Sequence, residues 1–266
     1  MMKKLSAIGF IGTGEITTAL VTGLCERSAE PYSIVLSPRG KENAAKLKAA
    51  YPECVFVAKD NQEVVDRSEY VVLAMLPEQG EEICRALRFR PEHKVVNLMC
   101  DRPLQQIRSW IGDTAALVHM VPSTFNAFFD GPIVLCPPQK EIAGIFGNIG
   151  VIVPVEKRRQ AGVLASVTAC MLSFFTLQDQ LVQWAKAQGV PGELAAVFTE
   201  KFFQGLSEQA ATASEEQLHT LATVTTPGGV NYLMKDAIER TGGFQLWMEP
   251  LQEILERLAP EAESEF

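Results

Sequence analysis

The stretch that decides the fold is Gly9-Phe10-Ile11-Gly12-Thr13-Gly14-Glu15-Ile16-Thr17. It ends a short apolar run, Ser6 to Ile11. It then opens a helical pattern over residues 16–27, with Ile16, Ala19, Leu20, Gly23 and Leu24 on one side. Gly12 permits a tight turn, and Gly14 lets the backbone approach a pyrophosphate. The helix start offers that anion amides with no intrahelical partner. Thr17 stands where a small residue packs helix against strand. A glycine pair alone is a weak signal, but here it lies between strand and helix, as dinucleotide binding requires. The expected cofactor contacts on this turn are Gly12, Thr13, Gly14, Glu15 and Ile16.

Working outward, apolar strands alternate with helices. Strands are expected at residues 33–36, 55–57, 70–75, 94–98, 116–120 and 133–135, and helices at 43–51, 78–87 and 103–110. Near-continuous apolar strands separated by helices imply a mostly parallel sheet covered on both faces. The pattern changes at the charged stretch Pro154-Val155-Glu156-Lys157-Arg158-Arg159, after which no strand is expected. One long helix is read over residues 160–188, stopped by Gly189 and Pro191, and others over 192–213, 230–240 and 245–258. Ser214-Glu215-Glu216-Gln217 fits a capping box. Pro250 is expected to kink the last helix, and the acidic tail from Pro260 to fray. The fold class is therefore α/β. A doubly wound Rossmann domain (1–154) precedes an all-α domain (155–266).

The end of the second strand decides which nicotinamide dinucleotide fits. NAD binders place an acid there to hold the ribose 2′-hydroxyl. This chain has Ser37-Pro38-Arg39-Gly40-Lys41. A hydroxyl and a planar guanidinium suit a 2′-phosphate, so Ser37 and Arg39 predict NADP(H). In an open α/β sheet, ligands sit outside the carboxyl ends of the strands. Ala74, Met75, Leu76 and Pro77 should therefore pass close to the cofactor.

The chain has 266 residues and a net charge of −8, from 24 basic and 32 acidic side chains. An acidic chain is poorly suited to nucleic acid. No run of 18 apolar residues occurs, so no membrane-spanning helix is expected. The start, Met1-Met2-Lys3-Lys4-Leu5, shows no cleavage region. Six cysteines, at 25, 54, 84, 100, 136 and 170, form no CxxC motif, and the three histidines are scattered. The cysteines read mainly as small apolar residues of a reducing cytoplasm, and no spacing signals a metal site. Leu172, Phe174, Phe175, Leu177, Leu181, Val182 and Trp184 make the first long helix of the second half apolar on more than one face. Either the core of a helical bundle or a homodimer interface accounts for this.

Val224-Thr225-Thr226-Pro227-Gly228-Gly229-Val230-Asn231, then Glu239-Arg240-Thr241-Gly242-Gly243-Phe244, complete the chemistry-bearing motifs. Pro227 breaks one helix, and two glycines lead into the next. Its first amides suit a substrate carboxylate, with Thr226 or Asn231 adding a donor; a plain inter-helix turn capped by Thr226 is the alternative. Together with the N-terminal glycine turn, these motifs resemble the pyrroline-5-carboxylate reductase family over nearly the whole chain. The resemblance implies a Rossmann domain, a helical dimerisation domain and NAD(P)H-dependent reduction of a cyclic imine, as in proline biosynthesis.

The chain departs from the family's pattern in its second half. Asn231 replaces the Thr that ends the family's Ser-Pro-Gly-Gly-x-Thr signature, and Val121-Pro122-Ser123-Thr124 replaces Met-Pro-Asn-Thr. The family's small-residue run begins as Val167-Thr168-Ala169 and turns into Cys170-Met171-Leu172-Ser173-Phe174-Phe175. The resemblance implies Ser123, Thr226, Gly228, Gly229 and Val230 at the substrate, with Thr168 and Asn231 nearest the chemistry. Residues 160–185 contain no lysine, which favours C=N over C=O reduction, because an imine is protonated before hydride arrives. Tyr232, Lys235 and His119 are further candidate donors. Reduction of a different, bulkier imine or ketone is the alternative within enzymes, and a non-catalytic NADP-binding sensor the alternative outside them.

Overall fold

The computed structural model describes residues 6–29 and 31–260. Among the described residues, eight strands form one sheet in the order β3-β2-β1-β4-β5-β6-β7-β8. They are β1 (Ala7–Ile11), β2 (Ser33–Leu36), β3 (Val55–Val57), β4 (Tyr70–Leu73), β5 (Lys94–Asn97), β6 (Ala116–Val121), β7 (Gly131–Cys136) and β8 (Gly150–Pro154). The first six run parallel; β7 is antiparallel to β6, and β8 is parallel to β7. Strand order reverses between β1 and β4, which opens a crevice at their carboxyl ends.

The helices of this part are α1 (Glu15–Arg27), α2 (Lys41–Ala50), α3 (Asn61–Arg67), α4 (Pro77–Arg85), α5 (Leu104–Ile111) and α6 (Lys140–Phe146). Alternate residues of each strand feed two cores. Ile8, Phe10, Ile34, Leu36, Val72, Val96, Val118 and Met120 pack with α1 and α6, whereas Ile11, Val35, Val71, Leu73 and Val95 pack with α3, α4 and α5. Both faces are covered, and the strands are accordingly apolar throughout.

The remaining helices are α7 (Arg158–Val167), α8 (Cys170–Ala187), α9 (Gly192–Ala211), α10 (Glu215–Thr223), α11 (Val230–Arg240) and α12 (Gln245–Leu258). The chain divides into two compact units, Met1–Ser166 with Ile254–Phe266, and Val167–Glu253. In the first, α7 seats Ala161 on Val134 and Cys136, and the end of α12 returns onto α7. A Cβ on Gly162 would lie 2.6 Å from the Ala259 Cβ, so only glycine admits this approach. Arg158 donates to the Leu258 carbonyl at 2.8 Å, and Arg159 donates to the Ala259 carbonyl and pairs with Glu256 at 2.7 Å. Two cations thereby satisfy the last carbonyls of α12.

Several sequence expectations are corrected. The helix read as continuous over 160–188 is two helices parted at residues 168–169. Strand β8 and helices α3 and α6 are not among the expected elements, being only five to seven residues long. The expectation of no membrane-length apolar helix is also corrected, by length and composition only: taken as one run across the break at 168–169, Arg158–Ala187 carries an 18-residue window of mean hydropathy 1.6, of which 22% is buried. Ser166, Thr168, Ser173 and Thr176 interrupt the apolar run without lowering its average much. The expected capping box is present, with Gln217 Oε1 accepting from the Ser214 amide at 2.9 Å and Ser214 Oγ from the Gln217 amide at 3.3 Å. The frayed tail falls at residues 261–266, outside the described residues.

Candidate functional site

Gly12 has φ +101, and a Cβ there would lie 2.5 Å from the Ala74 carbonyl oxygen. Glycine is required both for the left-handed backbone and for this approach. The Ala74 amide donates to the Ile11 carbonyl at 2.9 Å, so the end of β4 lies directly against the turn. Gly14 is different: a Cβ there would meet nothing within 4 Å. That open side leaves room for a phosphate above the start of α1, whose N-cap carries no side-chain acceptor. Glu15 is exposed and Ile16 half-buried beside it. Thr17 is buried and donates to the Gly12 carbonyl at 2.7 Å, which pins the turn from below. Met75 and Pro77 are half-buried, and Leu76 stands 65% exposed at the mouth of the crevice.

Ser37, expected at the 2′-phosphate, faces the inside of the turn. It is fully buried, and its hydroxyl accepts the Gly12 amide at 3.0 Å and meets Thr13 Oγ1 at 3.2 Å. Thr13, also buried, donates to the Ser37 carbonyl at 3.0 Å. The hydroxyl that the sequence suggested for the 2′-phosphate is thus spent on holding the turn. Arg39 and Lys41 are exposed, and no hydrogen bond or ion pair engages either among the described residues. Two residues escaped the sequence reading. Gly40, at φ +83, brings the chain so close that its Cβ would lie 2.4 Å from the Thr13 carbonyl. Asn43 donates to that same carbonyl at 3.2 Å. The Arg-Gly-Lys sequence at the head of α2 was the available signal.

A row of residues crosses the sheet at the level of the crevice, with Ile11, Leu73, Asn97, His119 and Cys136 paired in register. Asn97 Nδ2 lies 3.0 Å from both the Met99 carbonyl and His119 Nδ1. Burial, reinforced by the Arg158 guanidinium, pushes the His119 imidazole down to about 3, so it is neutral near pH 7. Ser123 follows β6, and Asn126 Oδ1 accepts from its amide at 2.7 Å within a short 3₁₀ turn, Thr124–Ala127.

The other expected residues belong to the second unit. Thr168 is exposed at the break before α8, and its carbonyl accepts from the Met171 amide at 3.1 Å. Gly228, at φ +75, turns the chain into α11, and the Gly229 amide donates to the Thr226 carbonyl at 3.0 Å. Gly229 is the N-cap and brings no side-chain cap, so the plain reading of Thr226 as the cap is not what forms. Val230 and Asn231 are exposed on the first turn. Among the described residues no group of three or more His, Cys, Asp or Glu is placed to hold a metal ion.

Residues 7–100 match the family described as NADP oxidoreductase, coenzyme F420-dependent. The pyrroline-5-carboxylate reductase of Pseudomonas aeruginosa is 24% identical over 266 residues, spanning 96% of this chain and 97% of that protein. Over nearly its whole length the chain is similar to this reductase. Two solved pyrroline-5-carboxylate reductases have the same fold. The Streptococcus pyogenes reductase superposes with a TM-score of 0.82 at 15% identity, covering 96% of this chain and 99% of that one. The Plasmodium falciparum enzyme, solved with NADP bound, also gives 0.82 at 15% identity, covering 97% and 98%. The chain is thus similar to NAD(P)-dependent oxidoreductases, in residues 7–100 by the family match and throughout by fold.

Proposed function

We propose that the chain reduces the C=N bond of a cyclic imino acid at the expense of NADPH. The observation that carries the cofactor reading is the phosphate turn itself, with an open face at Gly14, an uncapped helix start and Arg39 unengaged beside it. A dinucleotide pyrophosphate suits that helix start, and a 2′-phosphate suits a free guanidinium. Arg39 takes the whole of the 2′-phosphate role once shared with Ser37, and the nucleotide function resides in residues 1–154.

When bound, NADPH supplies the hydride. The residues of the chain bind, orient and shield. The uncapped amides of α11 and the side chain of Asn231 hold the substrate carboxylate, with Thr226, Gly228, Gly229 and Val230 shaping the turn. Thr168 offers its hydroxyl near the imine nitrogen. Hydride adds to the imine carbon, and the nitrogen, already protonated, becomes a neutral amine.

A bulkier imine is the second reading, favoured by Phe174 and Phe175. Their rings lie 5.6 Å apart where the family carries small residues. We also propose a homodimer through the helical unit. Leu172, Trp184 and Phe198 are 75%, 64% and 72% exposed in the single chain, and helix α8 has no buried residue. Such a surface needs a cover.

NADPH oxidation tests the function, measured with pyrroline-5-carboxylate and a panel of larger cyclic imines and oxo acids. Turnover on an imine is the expected result. Tight NADPH binding without turnover on any imine would leave a sensor in place of a reductase.

A further inference from the structure

Away from the crevice, Cys25 on the last turns of α1 meets Cys54 just before β3, with their sulfurs 3.5 Å apart. They stand 29 positions apart in the chain, and among the described residues no other cysteine pair is hydrogen-bonded. Their backbones are held in place independently. Cys25 belongs to a helix buried through Val21 and Leu24, and the Cys54 carbonyl accepts from the Ile34 amide at 2.8 Å. Both side chains are half-buried beside a cavity of about 140 Å³, which Leu24, Ala29, Tyr32 and Ile34 help to line.

We propose that Cys25 and Cys54 form a reversible thiol–disulfide site that staples the nucleotide-reading segment of the chain. The bracketed stretch contains β2, Ser37, Arg39, Gly40 and α2, which together fix the phosphate turn and face the ribose. The regulatory half of this proposal rests on the NADPH reading above; the bond itself does not.

The oxidant is a small disulfide such as glutathione disulfide. The Cys54 thiolate attacks one sulfur of it, forming a mixed disulfide and expelling one thiolate. Cys25 then loses its proton to water, and its thiolate displaces the second glutathione thiolate. Two protein thiols and one disulfide become one protein disulfide and two glutathione thiols, so electrons and atoms balance. Burial first, and then the hydrogen bond to Cys54, push the Cys25 thiol up to about 12, so closure is slow at neutral pH and speeds up as pH rises. The closed form orders the segment before cofactor arrives and removes part of the ordering cost from binding.

The purified full chain is equilibrated in glutathione buffers of graded ratio, quenched by acid and digested without reduction. The expected product is a 25–54 cross-linked peptide that disappears on adding dithiothreitol. The bond should raise Tm by roughly 5 °C or more. It should tighten NADPH binding about threefold in the natural chain and leave binding unchanged in Cys54→Ser. Cys25→Ala serves as the second variant, and far-UV circular dichroism checks that both fold. Stable glutathione adducts on Cys54 without cross-link would overturn the site. A cross-link with equal or weaker NADPH affinity would overturn the regulatory role. If neither redox form binds NADPH but the cross-link forms, the cofactor reading fails and the thiol site stands.

Discussion

Ser37 Oγ accepts the Gly12 amide at 3.0 Å, tying the end of β2 to the phosphate turn from inside the protein. Ser37→Ala leaves that partly buried amide without its acceptor, at a cost of about 1 kcal/mol. NADPH and NADH affinity should then fall together. Arg39→Ala should weaken NADPH about tenfold or more and spare NADH. Paired titrations of both nucleotides check this, and a loss confined to NADPH in Ser37→Ala would return Ser37 to the phosphate.

Gly12→Ala and Gly14→Ala should fail differently. The first sets a side chain 2.5 Å from the Ala74 carbonyl at a left-handed φ, so it lowers both stability and cofactor affinity. The second finds open space in the protein, so Tm should hold while NADPH binding drops at least tenfold. Calorimetry with fluorescence titration separates the two. A stable, NADPH-competent Gly12→Ala would contradict the geometry.

His119 should make stability depend on pH. Its folded value, about 3, lies below the unfolded 6.5, so the unfolded chain binds more protons between the two. The contribution is complete above about pH 6.5 and is lost as pH falls toward about 3. Its limiting slope is about 1.4 kcal/mol per pH unit. Urea unfolding at pH 7 and pH 5 should show a smaller loss for His119→Gln than for the natural chain. Identical slopes would mean that this imidazole titrates normally.

Asn231→Thr restores the family's smaller donor at the first turn of α11. Turnover of pyrroline-5-carboxylate should rise about tenfold, equivalent to roughly 1.4 kcal/mol of transition-state binding. Efficient turnover by the natural chain, followed by a fall in the variant, would reverse this reading.

Sedimentation of a dilute sample should give a dimer, and Leu172→Asp with Phe198→Asp should give a monomer. A natural chain that stays monomeric at micromolar concentration would leave the apolar helical surface to some other cover.

The glycine turn was legible because its two glycines do opposite jobs, one meeting Ala74 and one facing open space, and both follow from strand–turn–helix order. The strands from β1 to β6 were legible because burial on both faces makes them continuously apolar. Ser37 is ambiguous in sequence because a hydroxyl at the end of β2 suits either a ligand or the turn. Only its complete burial separates the two. The break at Thr168 carries no proline or glycine, so nothing in the local sequence marks it. Cys25 and Cys54 meet only because β2 and α2 fold back, a relation that spacing cannot express.

The clasp of Arg158 and Arg159 on the end of α12 has a consequence for proteolysis. The chain leaves the first unit after Ser166 and re-enters it at Ile254, so the helical unit is an insertion joined by two crossings. A nick in a loop between those crossings divides the polypeptide but does not free the C-terminal piece. Leu258 and Ala259 stay bonded to α7, and Ala259 stays packed on Gly162. The two fragments should co-elute under native conditions and separate only in denaturant, whereas removing the chain beyond residue 253 would strip cover from the nucleotide-binding unit itself.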